Sequence, residues 1–178
     1  MFTGVAQGLR YSYFFNTQDV KNLHLYFGLK NKNGHTLNST AKTALEKSIA
    51  KDIGKFDYIY YPESSDPFIS NIANLCGTGV VIPKNSTQFI KNDLFEHFLM
   101  KDEKASFNQI FDEMGDTFSM HKIKSNQRWR FKKTLFKDVT QYEGRIALLD
   151  DSVFSGYTLD AAYDKVPSFV EKICIFSK

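Results

Sequence analysis

Residues 145–159, RIALLDDSVFSGYTL, are the most informative segment of this chain. They begin with four consecutive apolar residues, 146–149, and such an unbroken run is typical of a strand buried on both faces of a parallel sheet. The run ends at Asp150 and Asp151, and a short loop then leads into LDAAYDKV, residues 159–166, which is typical of a helix. We therefore predict an α/β fold with a mainly parallel sheet flanked by helices.

The residues after this strand have the character of an anion site with an acidic site beside it. A loop that enters a helix directs several backbone N–H groups at one place, and Gly156 keeps that backbone accessible. Ser155 and Thr158 add hydroxyl donors. Asp150 and Asp151 can accept hydrogen bonds from sugar hydroxyls, or hold Mg²⁺ directly or through water. This pattern favours a ribose 5-phosphate site over two aspartates that only cap a turn and a helix.

Residues 146–158, IALLDDSVFSGYT, resemble the phosphoribosyl-pyrophosphate (PRPP) signature of the type I phosphoribosyltransferases. The resemblance implies an enzyme of nucleotide metabolism that transfers the phosphoribosyl group of PRPP to a nitrogen nucleophile, releases pyrophosphate and uses Mg²⁺. It implies that Asp150 and Asp151 are catalytic residues and metal ligands. It also implies that PRPP, or a ribose 5-phosphate nucleotide, contacts Ser152, Val153, Phe154, Ser155, Gly156, Tyr157 and Thr158.

Phe154 departs from one branch of that family. The purine-salvage enzymes carry an aspartate at this position, where it accepts a proton from the base, whereas phenylalanine cannot transfer a proton. An aromatic ring can instead stack on a planar acceptor. The motif therefore indicates PRPP, and it does not indicate which base or amine accepts the phosphoribosyl group.

A second strand-to-helix loop has a similar character. FDYIYY, residues 56–61, is typical of a strand, and PESSDP follows it directly. The resemblance implies that Ser64 and Ser65 bind pyrophosphate. The alternative is an ordinary, well-capped connection into a helix over residues 67–77.

The other predicted elements complete one α/β domain, 1–178. We predict strands near 57–61, 79–82, 146–150 and 171–176 and helices over 40–53, 67–77, 86–98 and around 107–114. The aromatic segment 1–35 is expected to form a hood on a core of residues 36–178. Within it, YSYFF and LHLYFGL favour two strands, although Thr17 could instead cap a helix.

The segment 119–137 contains seven basic residues, no acidic residue and several aromatic rings. The resemblance implies a flap that closes over the reacting centre, with Lys124 and Arg128 as catalytic cations. Two alternatives stay open: a solvated pair of strands, and a surface that binds single-stranded nucleic acid, which would make the protein a non-catalytic regulator or nucleotide sensor.

Composition places the chain among ordinary globular proteins. It has 178 residues, a net charge of +3 and two distant cysteines, Cys76 and Cys174, which favour reduced buried thiols in a cytoplasmic protein over a disulfide. No apolar run approaches the length of a membrane span, so we expect no membrane association. A homodimer is compatible with the pattern.

Overall fold

The structure, a computed structural model, describes residues 1–97, 99–116 and 118–178. Within these residues, one sheet contains six strands and is flanked by helices. The strands are β1 (Phe2–Ala6), β2 (Leu9–Asn16), β3 (Tyr58–Pro62), β4 (Thr78–Ile82), β5 (Ile146–Val153) and β6 (Glu171–Ser177). The helices are α1 (Val20–Leu29), α2 (Ser39–Ile53), α3 (Phe68–Cys76), α4 (Thr87–His97), α5 (Lys101–Met114) and α6 (Tyr157–Tyr163).

The sheet order is β1-β2-β6-β5-β3-β4. All neighbouring strands are parallel except β1 and β2, which form an antiparallel hairpin at one edge. This arrangement confirms the predicted α/β class and the mainly parallel sheet. Strand β5 lies between β6 and β3, as its continuous apolar run predicted.

Successive side chains of β5 enter two separate cores, because neighbouring residues of a strand point to opposite faces of a sheet. Ile146 and Leu148 pack in a core with α4, α5 and α6, whereas Ala147 and Leu149 pack in a second core with α1, α2 and α3. The sheet is therefore covered on both faces.

The aromatic N-terminal segment differs from its predicted structure. YSYFF lies in β2, but LHLYFGL forms most of helix α1, so the predicted second strand is wrong. Asp19 starts this helix, since its carboxylate accepts a hydrogen bond from the Lys21 N–H at 2.8 Å. Tyr26 and Leu29 then bury one helical face against the sheet. Because β1 and β2 extend the main sheet, the expected hood is not confirmed.

The basic segment forms two 3₁₀ helices, η1 (Met120–Lys122) and η2 (Ser125–Phe131), so the alternative of a solvated pair of strands is wrong. The aromatic rings explain the difference. Phe131 and Phe136 are fully buried in the core beside α5, which requires the backbone to turn rather than extend. The segment is thus packed against the body of the protein.

Cys76 and Cys174 are both buried and are not bonded to each other, as predicted. Burial raises the pKa of each thiol, and the nearby Asp150 and Asp151 carboxylates raise that of Cys174 further. In the part of the chain that the structure describes, no helix has both the length and the apolar character required to cross a membrane.

Candidate functional site

A cavity of about 440 Å³ lies where β3 and β5 separate, at the carboxyl ends of both strands. Pairing between them ends at Tyr60 and Leu148, whereas β5 continues alongside β6 as far as Val153. Residues 149–153 therefore leave one strand edge open toward the cavity. The volume is in the range of small-molecule sites, and the position is where open α/β sheets bind ligands.

The cavity is lined by polar and charged groups together with a smaller apolar set. The lining residues are Lys30, Pro62, Glu63, Ser64, Ile69, Lys84, Phe118, Ser119, Met120, Arg128, Leu135, Asp150, Asp151, Ser152, Phe154, Ser155, Gly156, Thr158 and Leu159. Two predicted loops, 62–65 and 154–158, thus meet in one cavity. The parallel arrangement of β3 and β5 brings them together, because parallel strands end at the same edge of a sheet.

Asp150 is the most unusual group in this cavity. It is only 7% exposed, its Oδ1 accepts the Asp151 N–H at 2.8 Å, and its Oδ2 has no hydrogen-bond partner. Burial, reinforced by the charge of Asp151, raises the pKa of Asp150 from an ordinary 3.8 to about 7, against the opposing effects of the Asp151 N–H, Lys30 and Lys84. A buried oxygen without a partner is costly, so it indicates a group that is completed by a ligand.

Both carboxylate oxygens of Asp151 have partners within the protein. Its Oδ2 forms an ion pair with the Lys30 ammonium, and its Oδ1 accepts the Ser152 hydroxyl at 2.7 Å. The two aspartates are therefore not equivalent. Asp150 lines the cavity and keeps one buried carboxylate oxygen without a partner, whereas both oxygens of Asp151 already have protein partners.

The loop after β5 is held in place from two sides. Gly156 has a φ of +78° and its Cα lies close to the β1–β2 hairpin, where the Gln7 side chain donates to the Ser155 carbonyl at 3.0 Å. From the other side, Arg128 donates to the Ser155 hydroxyl at 3.1 Å and to the Ile123 carbonyl at 2.9 Å. The loop is thus clamped between the N-terminal hairpin and the basic segment.

We expect Gly156→Ala to weaken binding of a phosphate-containing ligand about tenfold and to cost about 1–2 kcal/mol of stability, because an alanine must adopt a positive φ there. Its Cβ would also stand 2.6 Å from the Ala6 Cβ and force the loop to move. Denaturant unfolding and calorimetry with PRPP measure the two effects.

Gly54→Ala is the matched control, because Gly54 has a φ of +83° but nothing lies within 4 Å of an added Cβ. It should lose stability, because of its positive φ, without losing affinity. Wild-type affinity in Gly156→Ala would contradict the placement of a phosphate at this loop.

Phe154 forms an aromatic wall together with Tyr26 of α1. The two rings meet edge to face with centroids 5.3 Å apart, and Phe154 remains 42% exposed. Its exposed part is available to a planar group, which agrees with the expected stacking role.

Most of the predicted site residues meet in the cavity, and four do not. Ser64, Arg128, Asp150, Asp151, Ser152, Phe154, Ser155, Gly156 and Thr158 line it. Ser65 and Lys124 are exposed and do not line it, while Val153 is buried in the sheet and the half-buried Tyr157 also lies outside the lining. Val153 lies outside the cavity because β5 is three residues longer than predicted and includes Val153. The Val153 carbonyl accepts the Lys178 N–H at 3.2 Å.

Three charged residues of the cavity were not among the predicted site residues. Lys30 comes from the end of α1, and Glu63 and Lys84 come from the ends of β3 and β4. The Lys84 N–H donates to the Glu63 carboxylate at 2.8 Å and joins those two strand ends. Glu63 lies in the PESS loop, which the sequence predicted to be part of the site. No local sequence pattern distinguished Lys30 or Lys84 from a surface residue.

The basic segment contributes less to the cavity than predicted. Arg128 reaches it, but Arg130 forms an ion pair with Glu103 at 3.0 Å, and Lys132 lies 2.9 Å from Asp160 and 3.3 Å from Asp164. Lys122 donates to the Glu113 carbonyl. These contacts fasten the segment to α5 and α6 instead of directing its cations to a ligand.

The chain matches no protein-family model, and no curated protein matches it. Its function must therefore be inferred from the residues and geometry of the cavity, together with the resemblance of residues 146–158.

Asp150 and Asp151 are carboxylates of the cavity that could hold a magnesium ion. Among the described residues, no group of three or more His, Cys, Asp and Glu side chains is placed to hold a metal. Mg²⁺ commonly binds through one or two carboxylates, with water and substrate phosphates completing its shell.

Proposed function

We propose that this protein binds PRPP in the cavity between β3 and β5 and transfers its phosphoribosyl group to a nitrogen nucleophile. The observation that carries the proposal is the unpartnered, buried Oδ2 of Asp150 in the same cavity as the 154–158 loop. A site built only for an anion would not retain a buried carboxylate, because the two would repel each other. Ribose hydroxyls or Mg²⁺ explain the carboxylate, and phosphate explains the loop.

Each part of PRPP then has a complementary group. The 5-phosphate would bind the backbone and hydroxyls of residues 154–158, and the ribose hydroxyls would face Asp150 and Asp151. The pyrophosphate would lie between the 62–65 loop and the cations Lys84 and Arg128. Mg²⁺, when bound beside Asp150, would neutralise part of the pyrophosphate charge.

In the proposed reaction, the bond between C1 of the ribose and the pyrophosphate oxygen breaks, and a bond from C1 to the nucleophile's nitrogen forms. The cations Lys84 and Arg128 would stabilise the departing pyrophosphate. The nitrogen loses its proton to solvent or product, since Phe154 cannot accept one. The exposed part of Phe154 would hold a planar acceptor over C1.

Incubation of the protein with labelled PRPP, Mg²⁺ and a panel of purine and pyrimidine bases and amines tests this proposal. We expect acceptor-dependent release of pyrophosphate, and we expect it to be lost in Arg128→Met. Lys133→Met is the control, because Lys133 is an exposed cation of the same segment outside the cavity. No release with any acceptor would contradict the transferase activity.

The alternative, a non-catalytic module that binds nucleic acid, retains one supporting observation. Trp129 is 54% exposed, and Lys124 and Lys133 of the same segment are also exposed, a combination suited to base stacking and phosphate contacts. This alternative predicts a complex with single-stranded nucleic acid whose affinity falls steeply with added salt and is lost in Trp129→Ala. Such a complex without pyrophosphate release would favour the alternative.

A further inference from the structure

Lys30 is a partly buried cation that lines the candidate PRPP site and comes from a part of the chain far from the motif. It caps the C-terminus of α1, where its N–H donates to the Tyr26 carbonyl at 3.1 Å. The preceding Leu29 is buried in the core, so the backbone at Lys30 is fixed. Its side chain is 23% exposed and reaches across to Asp151.

The contact with Asp151 changes what that carboxylate can bind. An ammonium carries three N–H donors and no acceptor, so Lys30 can hold Asp151 and still donate to a ligand oxygen in the cavity. A divalent metal at the Asp151 Oδ2 would have to displace this ammonium, or lie beside it against charge repulsion. The free Oδ2 of Asp150 has no such competitor.

The ion pair is also poorly explained by stability alone. Burial lowers the pKa of Lys30, and the neighbouring Asp151 outweighs that effect and raises it, so the lysine remains charged. Partly buried ion pairs contribute little to stability, because the loss of hydration offsets their attraction. A fixed positive charge inside a cavity is, however, a direct means of binding an anionic sugar.

We propose that Lys30 serves as the cation of the Asp151 subsite in place of a metal, so that a ribose 5-phosphate unit binds this protein without Mg²⁺. The inference rests on the proposed function and deepens it, because it assigns the two halves of PRPP to different groups of the protein. The ribose 5-phosphate half is recognised without a metal, by Lys30, Asp150, Asp151 and the 154–158 loop. Mg²⁺ is required only for the pyrophosphate half, near Asp150.

Titration calorimetry with ribose 5-phosphate, which lacks pyrophosphate, tests the inference. We expect the wild type to bind it with the same affinity, within about twofold, in EDTA and in Mg²⁺. Lys30→Gln keeps a donor for Asp151 but removes the charge, and we expect about a tenfold loss of affinity in EDTA. Added Mg²⁺ should recover part of that loss, because the metal can then approach Asp151.

Two further variants separate charge from structure. Lys30→Arg keeps the cation and should bind ribose 5-phosphate within about threefold of the wild type. Lys42→Met is the matched control, since Lys42 forms an ion pair with Asp66 at a side-chain exposure of 22% but does not line the cavity. It should retain wild-type affinity. Thermal unfolding of each variant verifies that a change in affinity does not reflect loss of the fold.

The outcomes distinguish this inference from the function on which it rests. If the wild type binds PRPP but requires Mg²⁺ for ribose 5-phosphate, or if Lys30→Gln binds ribose 5-phosphate as the wild type does in EDTA, the role of Lys30 is refuted and the proposed function stands. If the wild type binds neither ligand in either buffer, the proposed function is refuted and the role of Lys30 with it.

Discussion

The variant that carries both Asp150→Asn and Asp151→Asn is expected to bind PRPP at least about 100-fold more weakly than the wild type in the presence of Mg²⁺. Asn at position 150 removes the negative charge of the buried carboxylate that has an unpartnered oxygen, and Asn at 151 removes the carboxylate that holds Lys30. Both changes preserve side-chain shape, so the loss reports on charge. Titration calorimetry measures it directly.

Asp138→Asn is the control for this loss. It removes one carboxylate that also pairs with a lysine, Lys165 at 2.7 Å, but lies outside the cavity with its side chain 93% exposed. It should bind PRPP with wild-type affinity. Equal affinity of the wild type and the double variant would contradict the assignment of the acidic pair to the ligand.

Asp150→Asn alone is expected to remove a large pH dependence of stability. The folded-state pKa of Asp150 is raised to about 7 from 3.8, so between these values the folded protein binds a proton that the unfolded chain has released. Stability therefore falls as pH rises, by about 1.4 kcal/mol per pH unit for this one group and by up to about 4 kcal/mol between pH 4 and pH 7. Above pH 7 the contribution is constant.

Urea unfolding of the wild type and of Asp150→Asn at pH 4.5, 6 and 8 measures this effect as a difference between the two proteins. We expect the variant to gain stability relative to the wild type as pH rises. Asp52→Asn, at an exposed position of α2, should show no such trend relative to the wild type. A difference between wild type and Asp150→Asn that does not change with pH would show that Asp150 is ionised at little cost in the folded state.

This cost belongs to the ligand-free protein. A ligand that donates a hydrogen bond to the Asp150 Oδ2, or brings Mg²⁺ to it, favours the ionised carboxylate and lowers its pKa again. Part of the binding free energy is thus used to ionise Asp150 below pH 7. PRPP affinity should consequently increase with pH up to about 7 in the wild type, and it should lose this dependence in Asp150→Asn.

The regular elements of the fold could be predicted because their signals are local. The unbroken apolar run at 146–149 predicted the central strand. The apolar spacing over 40–53 predicted helix α2, which spans Ser39–Ile53. Strands β3, β4 and β6 lie within one or two residues of their predicted bounds. For the helix predicted over 86–98, α4 ends at His97 and residue 98 lies outside the described residues.

The differences arise where distant parts of the chain decide the outcome. Strand β5 continues through Asp150 to Val153 because β6 pairs with it there, and this pairing cannot be read from the motif. The alternation of basic and aromatic residues in 125–131 is typical of a strand, but burial of Phe131 beside α5 makes it helical.

The cavity shows the same division. The motif predicted that Asp150 and the 154–158 loop lie at one sheet edge, since the loop follows the strand that contains Asp150. Lys30 is 121 residues from its partner Asp151 in sequence, and Lys84 comes from the end of an edge strand. Their roles depend on the order of strands and on the position of α1, which no local pattern encodes.

A crystal structure of the protein with PRPP and Mg²⁺ tests the central claim most directly. We predict that the 5-phosphate lies within hydrogen-bonding distance of the backbone N–H groups of residues 155–158, with the ribose hydroxyls at Asp150 and Asp151. The pyrophosphate should lie between Ser64, Lys84 and Arg128, which line the same cavity. PRPP bound at another surface, or with its 5-phosphate away from the 154–158 loop, would contradict this assignment.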